Sequence, residues 1–72
     1  MKGLVMTEKL RCKGRSWKVN YYWGAKTDNV QRYFAKISID GKENIILDGD
    51  YLFDLRARTK LLFPILLRAR SI

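Results

Sequence analysis

The sequence has no histidine and a single cysteine, Cys12, among its 72 residues. One cysteine cannot form an internal disulfide, so nothing in the chain points to an oxidising compartment. A cysteine nucleophile needs an activating base, which is normally histidine. The glycine pattern of a phosphate-binding loop, the dinucleotide-binding glycine motif and a paired-carboxylate cleft are also absent. We therefore predict a protein that is not an enzyme and that uses no cofactor.

Long apolar runs are missing as well. The longest, Leu61–Leu67, has seven residues, whereas a membrane-spanning helix needs about 20. Residues 1–6 are too short for a secretory leader, and charged residues follow them. These features predict a cytoplasmic protein without a membrane span.

Acidic residues are few, and the 15 lysines and arginines give the chain a formal charge of +8. The charge is uneven, with +6 in residues 1–40, −3 in residues 41–54 and +5 in residues 55–72. Such a chain attracts polyanions, namely nucleic acid, an anionic membrane surface or an acidic protein. Because 47% of the residues are hydrophobic and 12% are aromatic, we predict one small folded domain over residues 1–72, not a disordered basic tail.

Aromatic and β-branched residues are concentrated in two runs, residues 16–23 and 31–39, and a shorter apolar run follows at residues 42–47. We predict an antiparallel sheet of these three strands. In both long runs the odd-numbered positions are the more apolar, so they are expected to form the core face. Apolar and charged residues alternate loosely over residues 1–14, which predicts either an additional edge strand or a basic arm.

The pair Asp40-Gly41 between the second and third runs is a strong signal for a two-residue hairpin turn. Such a turn would place Ile45 opposite Lys36 and Leu47 opposite Phe34, on the polar face. The third strand would then need a bulge, or part of the outer face would have to be covered.

We predict a C-terminal helix over residues 50–70, because leucine, arginine, alanine and lysine dominate residues 55–70 and favour helices. Asp48 or Asp50 would be the N-cap, and Pro64 would kink or end the helix. Its apolar positions fall near one stripe, interrupted by Thr59: Leu52, Leu55, Leu62 and Leu66. The fold class is therefore α+β. The alternative is a small barrel of five or six strands, with a further hairpin at Asp48-Gly49.

Basic and aromatic side chains alternate on the outer face of the predicted sheet. Lysine and arginine neutralise phosphates, aromatic rings stack on bases, and asparagine and arginine can hydrogen-bond base edges. A nucleic-acid partner, DNA or RNA, follows from this chemistry. The segment Lys9, Arg11, Lys13 and Arg15 would add a phosphate-tracking arm. The predicted contact residues are Lys18, Asn20, Tyr22, Arg32, Phe34, Lys36, Arg15 and Lys13.

A simpler interpretation of that face is a solvated surface whose aromatic residues pack across strands. The acidic residues Asp48, Asp50 and Asp54 have neither the spacing nor the distal glutamate of a calcium loop. We attribute them to turns and capping and predict no metal site.

The run Leu61–Leu67 is apolar on all sides, and a chain this short has little with which to cover it. Besides core packing, we predict a homodimer or partner interface at Leu62, Phe63 and Leu66. A helix at a membrane surface is a further alternative, because arginines flank the run.

The order strand–strand–strand–helix, with Lys18, Arg32 and Lys36 on the outer sheet face, resembles in outline the DNA-binding domains of plant ethylene-response factors. It also resembles the N-terminal arm-binding domains of some phage-type integrases. The resemblance implies DNA binding by the sheet. Because no motif of either family is present, it assigns no residue a role.

Overall fold

A computed structural model describes residues 3–24, 32–39 and 44–70. The chain forms one antiparallel sheet, with its strands in sequence order, followed by a helix. The α+β class is confirmed, but the sheet has four strands instead of three because the N-terminal segment is an edge strand. The elements are β1 (Gly3–Cys12), β2 (Arg15–Trp23), β3 (Tyr33–Ser38), β4 (Asn44–Gly49) and α1 (Leu52–Ala69).

A tight turn at Lys13-Gly14 joins β1 to β2. Lys13 and Gly14 have φ values of 55° and 74°, and Cys12 lies opposite Arg15 across the turn. Positive φ at both positions of a two-residue loop matches the twist of antiparallel strands, and glycine adopts it without a Cβ clash. This turn is what makes the N-terminal segment part of the sheet.

The sheet is open. In the part of the chain that the structure describes, β1 pairs only with β2 and β4 pairs only with β3. The residues assigned to additional strands in the barrel alternative form α1 instead, so that alternative is wrong. Strand β1, ten residues long, carries a bulge between Leu4 and Met6.

Strand β4 is one residue out of the predicted register. Ile45 lies opposite Ile37, whereas a two-residue turn would have placed it opposite Lys36. Because side chains alternate between faces, this single step moves Ile45 and Leu47 to the core side. These two apolar side chains therefore do not lie on the polar face of the sheet. The connection itself, residues 40–43, lies outside the described residues.

The core lies between one face of the sheet and α1. The rings of Trp17 and Phe63 meet edge-on there, with 5.5 Å between centroids. Thr59 is fully buried, and its hydroxyl donates a hydrogen bond to the Leu55 carbonyl at 2.6 Å, so a polar residue fits the apolar stripe. The described odd-numbered positions of the two long runs are buried as predicted, except for Tyr33, which is half-buried, and Trp23, which is 37% exposed. The central core residues are Trp17, Val19, Tyr21, Ala35, Ile37, Ile45, Leu55, Phe63 and Leu67.

Helix α1 begins at Leu52, with Tyr51 as its N-cap and no hydrogen bond from a capping side chain. The predicted caps, Asp48 and Asp50, bind the guanidinium of Arg32 instead. A carboxylate held by the arginine that precedes β3 is not available to the first turn of the helix. The helix continues past Pro64 to its end.

Candidate nucleic-acid interface

The sheet face opposite α1 brings most of the predicted contact residues together. Lys18, Asn20 and Tyr22 project from β2, between buried core residues. On β3, Phe34 lies directly opposite Tyr22, and Lys36 lies directly opposite Asn20. These five side chains therefore share one surface, in which aromatic and cationic positions are adjacent.

Strand β1 adds two cations to the same face. Lys9 lies opposite Lys18, and Arg11 lies opposite Ser16. The tight turn at Lys13-Gly14 and simple alternation would have placed both there from the sequence. Like charges directly opposite one another destabilise a sheet. A face that served only solubility would gain nothing from such a pair.

We call Lys9, Arg11, Lys18 and Lys36 the basic face. All four side chains are exposed. The ion pairs among residues 3–24, 32–39 and 44–70 involve none of them. Their positive charge is therefore not compensated by a neighbouring acid in that part of the chain.

A shallow pocket of about 250 Å³ opens beside the basic face, lined by Tyr22, Phe34, Lys36 and Ile46. Ile46 lies opposite Lys36 and is 61% exposed. A side chain at position 24 would collide with the Phe34 ring, so Gly24 leaves open the space that this ring occupies. We call this the aromatic pocket. Its shape and chemistry suit a planar group attached to an anion.

Arg32 lies at one corner of the sheet, held by two carboxylates. It donates to Asp48 at 2.6 Å and to Asp50 at 2.7 Å. The hydrogen bond and charge of Asp48, with the charge of Asp50, raise the pKa of Arg32 above its usual value. Asp54 and Arg58 lie at the same corner, where Arg58 donates to the Asp48 carbonyl. Since three carboxylates face two guanidinium groups, this acidic corner has a net negative charge, and the structure sets Arg32 apart from the other predicted contact residues.

Lys13 and Arg15 lie at the end of the β1–β2 hairpin. Lys13 occupies the turn itself. The Arg15 guanidinium lies 4.4 Å from the centroid of the Trp17 ring, on the core side of the strand, and its side chain remains exposed. Both cations therefore border the basic face without belonging to it.

Glu8 links β1 to the helix on the inner side of the sheet. Its carboxylate accepts hydrogen bonds from the Tyr21 hydroxyl at 2.7 Å and from Arg56 at 2.9 Å, and Lys60 lies 3.5 Å away. Burial alone would raise the pKa of Glu8, but the hydrogen bonds from Arg56 and Tyr21 lower it below its usual value. Burial, and then the hydrogen bond to Glu8, raise the pKa of Tyr21. This cluster fixes the helix on the sheet.

The predicted interface at the C-terminal run requires a correction. Phe63 is only 1% exposed and belongs to the core, so it cannot contact a partner. Leu62 and Leu66 are half-buried. A run that is apolar on all sides does not reveal which side of the helix faces the sheet, and the sequence alone could not separate these positions.

The exposed side of α1 carries its own apolar residues, at every fourth position. Phe53 is 80% exposed, Leu61 is 72% exposed and Ile65 is 55% exposed, and Ala57 lies between the first two. We call these four residues the helix stripe. Within the described ranges, no helix is both long enough and apolar enough to cross a membrane.

Comparison with models of known protein families, with curated proteins and with solved structures found no match. The function is therefore argued from the geometry of the chain itself.

Proposed function

We propose that the protein binds nucleic acid through the outer face of its sheet, in the cytoplasm and without catalysing a reaction. The observation that carries this proposal is the basic face, in which Lys9 and Lys18 lie opposite one another and form no ion pair with an acid of the described residues. Ammonium and guanidinium groups that neutralise phosphates release condensed counterions, which favours binding. A polyanion also removes the repulsion within the lysine pair.

The neighbouring side chains supply the remaining contacts. Tyr22 and Phe34 provide ring faces for bases. Asn20 is within hydrogen-bonding distance of Thr7, at 2.8 Å, and this pair offers polar groups between the rings and the lysines. Lys13 and Arg15 extend the positive charge to the hairpin end. Arg32 contributes less, because Asp48 and Asp50 already bind it.

Reversing single charges tests the proposal. We expect Lys18→Glu and Lys36→Glu each to weaken binding of a short mixed-sequence oligonucleotide by roughly tenfold, and to lower the salt dependence of the affinity by about one phosphate contact or more. Fluorescence anisotropy at several salt concentrations measures both quantities. Arg68→Glu is the matched control, because Arg68 is exposed on α1 and the net charge changes by the same amount.

An equal loss in all three variants would show that net charge, and not the sheet face, controls binding. If the unmodified protein bound no oligonucleotide at low salt, the proposed function would be wrong. Arg32→Glu is unsuitable for this test, because it would remove the cation that pairs with Asp48 and Asp50 and add a further carboxylate to the acidic corner.

A second candidate function rests on the helix stripe. Three large apolar side chains exposed in a row are unusual for a small domain and mark an interaction surface. The occupant that we propose is a second copy of the chain, with Ala57 allowing the two helices to approach closely. Chains of this length often gain stability by associating.

Self-association has a salt dependence opposite to that of nucleic-acid binding. Each copy carries a charge of +8, and salt screens the repulsion between them, so the dimer is expected to tighten as salt is added. Sedimentation over a range of protein concentrations would follow this change. Leu61→Asp should leave a monomer, whereas Leu4→Asp, at an exposed leucine of β1, should not. A wild-type protein that stays monomeric at high salt would exclude this function.

A further inference from the structure

We infer that the nucleic acid is single-stranded, with one base held in the aromatic pocket and its phosphates running from Lys36 toward Lys18 and the β1–β2 hairpin. This inference rests on the proposed function and adds the form of the ligand and its position on the face.

The width of the sheet argues against a duplex. The major groove of DNA is about 12 Å wide and admits a helix or a two-stranded ribbon. Strands lie about 4.8 Å apart, so the axes of four strands alone span roughly 14 Å before any side chain is added. The pocket lies on the central part of this sheet, between β2, β3 and β4. A groove deep enough to reach it would have to accept the entire sheet.

The lining of the pocket argues for an unpaired base. Tyr22 and Phe34 form a cross-strand pair of rings, Ile46 supplies an apolar edge, and Lys36 places an ammonium group beside them. Every base has a flat π-face, but in a duplex that face is already stacked between neighbouring pairs. Only a single strand can turn a base onto aromatic side chains without first breaking pairs.

The charges on either side of the pocket determine the path of the nucleic-acid strand across the sheet. On one side of the pocket, the three carboxylates of Asp48, Asp50 and Asp54 outnumber the two guanidinium groups beside them, Arg32 and Arg58, and this acidic corner repels phosphate. On the other side lie Lys36 and Lys18, the latter opposite Lys9 on the edge strand. The phosphates on either side of the bound base therefore follow the lysines and avoid the end of β4.

The test compares the binding of five probes to the unmodified protein: a short mixed-sequence strand of DNA, the same strand of RNA, the duplex of each, and a DNA strand of equal length whose central nucleotides are abasic. We expect the single strand of at least one sugar to bind at least about tenfold more tightly than its duplex. The abasic strand should lose about tenfold or more while keeping the same salt dependence, because its phosphates remain. This comparison needs no variant of the protein.

A variant then locates the base. Phe34→Leu should weaken binding of the single strand by roughly tenfold without changing its salt dependence or the duplex affinity. Tyr51→Leu is the matched control, since Tyr51 is an exposed ring outside both the aromatic pocket and the helix stripe. Equal or tighter binding of the duplex, or no effect of removing the bases, would overturn this inference and leave the proposed function intact. Absence of binding to every probe would overturn the proposed function instead.

Discussion

Phe63→Ala is expected to lower the free energy of unfolding by about 3–5 kcal/mol, the usual loss when a buried aromatic ring is truncated. Phe63 is 1% exposed, and its ring packs edge-on against Trp17. A chain of 72 residues has a total stability of only about 4–11 kcal/mol. The loss is therefore a large fraction of the total stability, and urea denaturation followed by tryptophan fluorescence should show a much lower midpoint.

The control for this variant is another phenylalanine of the same helix. Phe53 is 80% exposed, so Phe53→Ala should change stability by at most about 0.5 kcal/mol. Alanine also has the higher helix propensity, which favours a slight gain. Similar losses in the two variants would mean that Phe63 is not part of the core and that the assignment of the buried side of α1 is wrong.

Glu8→Gln is expected to lower the free energy of unfolding at neutral pH by about 1.5–3 kcal/mol, because it removes a charged acceptor of hydrogen bonds. The Glu8 side chain is 13% exposed and accepts from both Tyr21 and Arg56. The contact with Lys60 adds little, since that side chain is 52% exposed and solvent screens it. Thermal unfolding of both proteins at neutral pH would measure the difference.

The same variant should change how stability depends on pH. The folded-state pKa of Glu8 lies below its usual value of 4.5, so the ionised form is favoured in the folded protein. The stability that it contributes is therefore present above 4.5 and is lost as the pH falls through the lower, folded-state pKa. The difference between wild type and Glu8→Gln should shrink over this acidic range.

Asp54→Asn provides the comparison for Glu8, since it also exchanges a carboxylate for an amide. Asp54 is exposed in the first turn of α1, where a negative charge favours the helix by at most about 1 kcal/mol. If the difference between Glu8→Gln and wild type stayed constant from neutral to acidic pH, the carboxylate of Glu8 would not be the group that links β1 to the helix.

The sheet could be predicted from the sequence where alternation was strong. The apolar odd positions of β2 and β3 gave the correct core face, from Trp17 to Ile37. The predicted register of β4 was wrong because the prediction depended entirely on an assumed two-residue turn at Asp40-Gly41. One residue more or less in a connection reverses the faces of the next strand, and local sequence does not determine that number.

The helix shows a different limit. Asp48 and Asp50 are good capping residues by type, but Arg32 binds both of them, and no local pattern reveals a partner that is distant in the sequence. Thr59 was taken as an interruption of the apolar stripe because its hydrogen bond to the preceding turn becomes visible only in three dimensions.

The candidate site was predictable in part. Alternation alone placed Lys18, Tyr22, Phe34 and Lys36 on one face. Placing Lys9 and Arg11 on that face required, besides alternation, the recognition of a tight turn at residues 13–14. Placing Ile46 there required the register of β4.

The long edge strand β1 also bears on aggregation. An unpaired strand edge invites strands of other molecules to extend the sheet, and natural proteins prevent this with charged side chains and with bulges. Strand β1 has both, since Lys9 and Arg11 project from it and its pairing is irregular between Leu4 and Met6. A bound polyanion would neutralise the cations, so that in the complex the bulge alone would keep neighbouring molecules from joining their sheets edge to edge.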